Sequence, residues 1–238
     1  MTTPDPSPII SRPAPQAVTY DLTAPNRVRI TLPRGSKWSS GLHWHERHTE
    51  YLLLVRGSIR VRLGDRVQIL SAADGTGKDE EVVIPRGVWH EWCRADAEEK
   101  KGGEQEEVVV IERTDPEDGE KAVFFHNLNG VILQAQQGRA PVSVPGWVVD
   151  WWVSLRLWLI FGVLDNYPVL LGVGDAGDGD GVISRVGRWL DWVVTHAVLG
   201  LAGWAGWVSG MNAVRREFMP EEEWQRWVAS KGGKEKGV

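Results

Sequence analysis

His43 and His45 flank Trp44, Glu50 follows after four intervening polar residues, and His90 comes behind the turn-forming Pro85-Arg86-Gly87. Alternate side chains on a strand share a face, so His43 and His45 converge while Trp44 points away. The polar Glu46-Arg47-His48-Thr49 can turn the chain into a new strand, and Gly57 ends Glu50–Val55 in a tight turn. Three imidazoles and a carboxylate aimed at one point suit a single divalent transition metal with positions left open for substrate or oxygen. The expected metal is iron, with manganese, zinc or nickel as alternatives. His48 is expected on a solvated loop, and His126 and His196 lie outside this pattern. Alternation also puts Leu52 and Leu54 on the face of Glu50, and Val88 and Trp92 on the face of His90. These four are expected to line an apolar, aromatic substrate pocket, which favours a weakly charged organic molecule over a sugar phosphate.

The segment His43 to Gly57 resembles the first signature motif of the cupin superfamily, with its paired histidines, a glutamate and a closing glycine. Pro85-Arg86-Gly87-Val88-Trp89-His90 resembles the second. Three positions depart from the usual pattern: Lys37 and Asp79 where a glycine is common, and Arg94 where an asparagine is common. All three are turn or packing positions, so they bear on loop geometry more than on metal binding. The resemblance covers roughly residues 18 to 115, a length that fits one domain. It implies a mainly β fold, a cupin-type β-barrel (double-stranded β-helix or jelly roll), with His43, His45, Glu50 and His90 as metal ligands. The run Leu32 to His45, together with the Trp-rich C-terminal region, is similar to small cupin-domain oxidoreductases encoded with fungal polyketide clusters. Some of those pathways make salicylaldehyde-type products. That likeness implies a metal-dependent oxidoreductase acting on an aromatic or polyketide-type small molecule in secondary metabolism. Two other classes stay open: a non-redox cupin enzyme (isomerase, cyclase or decarboxylase) and a non-catalytic small-molecule-binding cupin.

The elements that must position these residues read as short strands at close spacing: Val28–Leu32, Tyr51–Val55, Ser58–Leu63, Arg66–Leu70, Val82–Ile84, Val88–Cys93 and Glu107–Glu112. That rhythm suggests a sandwich or small barrel. Gly64-Asp65 signals a hairpin. Ser71–Glu80 and Ala95–Glu106 read as polar loops. The proline-rich start predicts a disordered or extended arm over 1–17, with no secretory signal. The barrel is expected over 18–115, and a helix and linker over 116–146. With that linker, the barrel is expected to fold without residues 147–238.

Ten of the fourteen tryptophans lie between Trp147 and Trp227. Trp147–Leu164 and Trp189–Ser209 are nearly all apolar and predict a helical hairpin around an exposed, acidic Asp165–Gly181 loop. The hairpin either enters a membrane or packs on the barrel or a second copy. Arg156 near the middle of the first segment would then need an acidic partner, with Asp191 the candidate. A last helix is expected from Pro220 to about Lys231. A net charge of -5 and the absence of a basic patch exclude nucleic acid as a partner. The single cysteine, Cys93, excludes an internal disulfide and fits a reducing compartment, hence an intracellular protein, cytoplasmic or membrane-associated.

Overall fold

The computed structural model describes residues 6–24, 26–72, 81–95, 107–136, 145–175 and 182–234. Alternating burial sets the strands. In Arg27–Leu32 (β3), Val28, Ile30 and Leu32 are buried while Arg27 and Arg29 face out. Such a pattern seals one sheet face against a core.

Ahead of β3 come Ile9–Arg12 (β1) and Val18–Asp21 (β2). After it come His43–Trp44 (β4), Thr49–Arg56 (β5), Ser58–Leu63 (β6), Arg66–Ser71 (β7), Glu81–Ile84 (β8), His90–Arg94 (β9), Val108–Asp115 (β10) and Tyr167–Pro168 (β11). They form two antiparallel sheets, one in the order β1-β2-β3-β10-β5-β8 and the other β11-β4-β9-β6-β7. Ile30 and Leu32 from the first sheet, and Ile59, Val61 and Trp92 from the second, share one core cluster. Within the arm expected over 1–17 to be disordered or extended, Ile9–Arg12 is extended and paired, with Arg12 opposite Val18 and Ile9 opposite Asp21, so that its backbone groups find ladder partners. The loops 73–80 and 96–106, with Asp79, lie outside the described residues, as does most of the 138–146 linker.

Two turns hold the motifs in place. Gly57 has φ +80°, and a Cβ there would stand 2.7 Å from the Glu107 carbonyl oxygen, so both conformation and space require glycine. Gly87 (φ +75°) donates its backbone N–H to the His45 carbonyl at 2.7 Å, tying the second motif to the first.

Four helices follow the strands: Glu120–Gln136 (α1), Gly146–Val163 (α2), Val182–Ser209 (α3) and Glu221–Lys234 (α4). The third begins seven residues earlier than the apolar run suggests, and the last runs through Gly232-Gly233 rather than ending at Lys231. Of the exposed loop expected over Asp165–Gly181, residues 176–181 lie outside the described residues, and the described part is anchored: Asp165 is fully buried, and β11 adds to the second sheet with Tyr167 opposite Trp44 and Pro168 opposite His43. The Tyr167 ring stacks on Trp44 at 5.5 Å. From α3, Thr195 donates its hydroxyl to the Pro168 carbonyl, and Asp191 accepts from the N–H groups of Leu171 and Gly172. Asp191 is therefore committed to this connection and does not pair with Arg156, whose guanidinium lies 4.2 Å from the Trp152 ring.

The segment between the two helices of the hairpin supplies an edge strand to the sheet that carries His43 and His90. Truncation at Gly146 is expected to abolish the cooperative thermal unfolding transition of the β domain, checked by calorimetry of the truncated and full chains.

Candidate metal centre

Three elements bring the four ligand-type residues together. His43 on β4 pairs directly with His90 on β9. His45 follows on the turn after β4, and Glu50 is the second residue of β5. Ring centroids lie 4.1 Å apart for His43–His90, 5.0 Å for His43–His45 and 5.2 Å for His45–His90. His45 Nε2 is 3.2 Å from Glu50 Oε2, and His90 Nε2 is 3.5 Å from Glu50 Oε1. All four are buried, and their ligand atoms lie within 4.8 Å of one another.

Each imidazole is held from behind by a backbone carbonyl. Nδ1 of His43 lies 2.7 Å from Gly41 O, Nδ1 of His45 2.5 Å from Asp165 O, and Nδ1 of His90 2.9 Å from Val88 O. A carbonyl only accepts, so each Nδ1 carries the proton and each Nε2 keeps its lone pair towards the centre. Burial, together with the neighbouring His90 and His45, pushes the pKa of His43 well below 6.5 and keeps it neutral. His90 Nε2 is a buried nitrogen without a hydrogen-bond partner. Three inward lone pairs facing a carboxylate repel one another unless a cation sits among them. The donor set, soft-to-borderline nitrogen plus one oxygen, fits a divalent transition metal.

Two groups escaped the sequence reading. Lys121 on α1 places Nζ 2.6 Å from Glu50 Oε2 and 2.8 Å from Glu112 Oε2, and Glu112 accepts from Trp92 Nε1 at 2.8 Å. Burial opposes ionisation of Glu50, but the Lys121 ammonium beside it outweighs that and holds the carboxyl well below its ordinary range. Burial pushes the Glu112 carboxyl up. Lys121 is itself held protonated: burial works against its charge, but the two carboxylates more than compensate. A lysine on a helix outside both motifs has no signature in the sequence; only the inward alternation of β10 hints at Glu112.

The second correction concerns His48, which is buried rather than solvated. Its Nδ1 lies 2.7 Å from Asp165 Oδ2, and its Nε2 lies 3.3 Å from Asp118 Oδ2. The Asp165 carboxylate also accepts from the backbone N–H groups of Glu46, Arg47 and His48 at 3.0–3.1 Å. His48, Asp118 and Glu120 form a second cluster of ligand-type atoms. Those groups already pair internally, with Arg47 and Lys231 both on Glu120.

A cavity of about 330 Å³ adjoins the centre, with His43, His45, Glu50 and Lys121 in its wall. The rest is largely apolar and aromatic: Tyr20, Trp38, Phe124, Phe125, Leu128 and Phe161. The expected lining residues Leu52, Leu54, Val88 and Trp92 are not among those that form it. Leu52, Leu54 and Trp92 do point inward, but there they meet the opposing sheet and fill the core, and Val88 packs against that core half-buried. The open space lies instead between the ligand-bearing strands and helices α1 and α2.

No protein-family model matches the chain, and no curated protein matches it. Solved structures of cupin-domain proteins are similar to part of it. A cupin 2 domain-containing protein from Halorhodospira halophila is 24% identical over 40% of this chain and 55% of its own, with a TM-score of 0.29. The capsular polysaccharide assembling protein CapF from Staphylococcus aureus is 20% identical over 46% of this chain and 28% of its own, with a TM-score of 0.33. An oxalate oxidase is 18% identical over 37% of this chain and 40% of its own, with a TM-score of 0.28. The chain spans about half or less of the length of each.

His45→Ala is expected to remove stoichiometric metal, measured by elemental analysis, while the far-ultraviolet spectrum of the β domain persists. Asp165→Ala strands three backbone N–H groups and a histidine, and should destabilise the fold by about 3–5 kcal/mol in denaturant titrations. The His48 pair titrates with a defined sign. Burial lowers the His48 pKa, but Asp118 and Asp165 raise it to about 9 from an ordinary 6.5. Its stabilising contribution is therefore complete below pH 6.5 and lost as pH rises through about 9. The melting-temperature gap between metal-stripped wild type and His48→Gln should close over that interval.

Proposed function

We propose that this chain is a metal-dependent cupin enzyme that oxidises an aromatic or polyketide-type small molecule in secondary metabolism. The observation that carries it is the convergence of three inward Nε2 lone pairs and the Glu50 carboxylate beside a largely apolar, aromatic cavity. His43, His45, Glu50 and His90 would hold one divalent metal, iron in this reading, which supplies Lewis acidity and redox capacity when bound.

The protein's own contribution is positioning. Lys121 fixes Glu50 through Oε2. A cavity of this size suits a small organic molecule, and its rings offer stacking surfaces to a flat one. Tyr20 offers its hydroxyl at the wall, where it accepts from Trp38 Nε1 at 2.8 Å and from Arg12 Nη2 at 3.0 Å. Burial pushes the Tyr20 pKa up to about 12, so the phenol stays protonated and polar without charge.

One observation favours the non-redox alternative of isomerase, cyclase or decarboxylase. Glu112 also lines the cavity, and burial pushes its carboxyl pKa up. A carboxyl so placed is suited to exchanging protons with a substrate. Elemental analysis of protein purified without added metal separates the readings. Iron at one equivalent, with oxygen uptake in the presence of an aromatic aldehyde or alcohol panel, supports oxidation. Zinc or manganese alone, with no oxygen uptake, supports the proton-transfer chemistry and removes the oxidoreductase reading.

A further inference from the structure

Six tryptophans stand in solvent: Trp147 at 73% exposure, Trp151 at 57%, Trp189 at 61%, Trp192 at 46%, Trp204 at 64% and Trp207 at 81%. The pattern on α3 explains most of them. Its inner line of Ser184, Asp191, Thr195, Leu199 and Ala202 is buried. Its opposite line runs from Val182 through Val186, Trp189, Ala197 and Trp204 to Trp207, all exposed. Leu190, Leu201 and Val208 widen that line on one side. At 3.6 residues per turn, the apolar sector covers about 120° of the helix and extends for about 38 Å. No charged side chain falls within it.

The second helix adds to one end of this surface. Leu199 packs over Gly162, and Leu159 over Gly206, where it leaves no room for a Cβ. The helices are therefore antiparallel, and Trp147 and Trp151 at the start of α2 lie at the same end of the hairpin as Trp204 and Trp207.

We propose that this face of the hairpin docks the protein in the plane of a lipid bilayer with uncharged headgroups. The sector is wider than the narrow seam that pairs two helices, and it matches a helix lying in an interface. Among the described residues, the indole N–H groups of Trp147, Trp151, Trp189, Trp204 and Trp207 make no hydrogen bond. An indole with its ring among acyl chains and its N–H at the headgroups satisfies both ends. The net charge of -5 disfavours anionic lipid. In-plane docking, rather than crossing, follows from the inner faces. By length and composition α2 could cross a membrane, at mean hydropathy 1.2 over 18 residues. However, it carries Arg156 near its middle and lines the cavity with Leu157 and Phe161. The inner line of α3 is committed to the barrel side through Asp191 and Thr195.

The test uses the full chain, loaded with metal, and phosphatidylcholine vesicles in a flotation gradient. The wild type is expected to float with the vesicles, with its tryptophan emission blue-shifted and quenched by lipids brominated along the acyl chain. The Trp204→Ser/Trp207→Ser double variant should partition about tenfold less or weaker still, with metal content unchanged. If that variant does not fold, quenching of the wild type by brominated lipid decides alone. The proposal fails if the wild type stays at the bottom of the gradient, or if wild type and a folded variant float equally. It also fails if neither floats and the variant converts a stable dimer to monomer, which would assign the face to a second copy.

Discussion

The buried carboxylate of Asp165 is the constraint on which the site depends. It sits at the end of α2, where its φ of +54° makes it the left-handed residue of a helix terminus. The following Asn166 N–H returns to the Phe161 carbonyl at 3.1 Å, as such a terminus requires. Aspartate tolerates this conformation better than most residues, and its short side chain is free to act elsewhere. It acts on the turn 46–48, where three consecutive N–H groups converge on its oxygens. Its own carbonyl accepts from His45. One residue thus shapes the loop between His45 and Glu50 and sets the tautomer of His45. The cost of burying the charge is offset because His48 and the amides point at it, which holds its carboxyl below the ordinary range despite burial.

Control of the imidazoles from behind is a general feature of this centre. Gly41, Asp165 and Val88 each present a carbonyl to an Nδ1, and two of these lie only two residues from the histidine they orient. Such contacts are local and strong, and leave little freedom in the ring plane. Glu50 is handled differently. It is gripped from the front by Lys121, a cation that would neutralise it entirely were Glu112 not sharing the ammonium. The buried Lys121 therefore serves two carboxylates, and neither carboxylate takes its whole charge. Glu50 keeps charge to offer towards the imidazoles while its position is fixed.

What could be read from the chain follows from the range of the interactions involved. Strand alternation and the two motifs are local, and β3, β5, β6 and β10 appear where the pattern places them. The convergence of His43, His45, Glu50 and His90 depends on β4 pairing with β9, His43 opposite His90, a long-range contact that neither motif implies alone but the two together do. Asp165, by contrast, acts on His45 across 120 positions of chain, and nothing around it distinguishes it from the other aspartates of a Gly- and Asp-rich stretch. The same distance hides the burial of His48, since its partners come from α2 and the segment before α1. The lining of the cavity was misplaced for a different reason. Alternation shows which side chains point inward, but not whether the opposing sheet has already filled that space. Trp92 turns inward as expected and is consumed by packing against Trp38 at 4.7 Å and by its bond to Glu112.

The hairpin resolves an ambiguity that hydropathy alone leaves standing. A helix apolar on most sides is either a membrane span or a core helix, because both environments reward the same residues. Here the apolar surface of α2 and α3 is divided by direction. The inner faces close the cavity with Leu157 and Phe161 and tether β11 through Thr195, while the outer face of α3 is left with tryptophans and valines in solvent. Polar residues on these helices mark the division: Asp191 and Thr195 are fully buried because they serve the connection to the sheet, so they are expensive to carry into lipid and indispensable where they are. The hairpin therefore cannot leave the sheets to cross a bilayer without dismantling the β4–β11 pairing beside His43. Any surface it contacts on its outer side must be reached by the whole protein, with the His43–His45–Glu50–His90 cluster and the cavity intact.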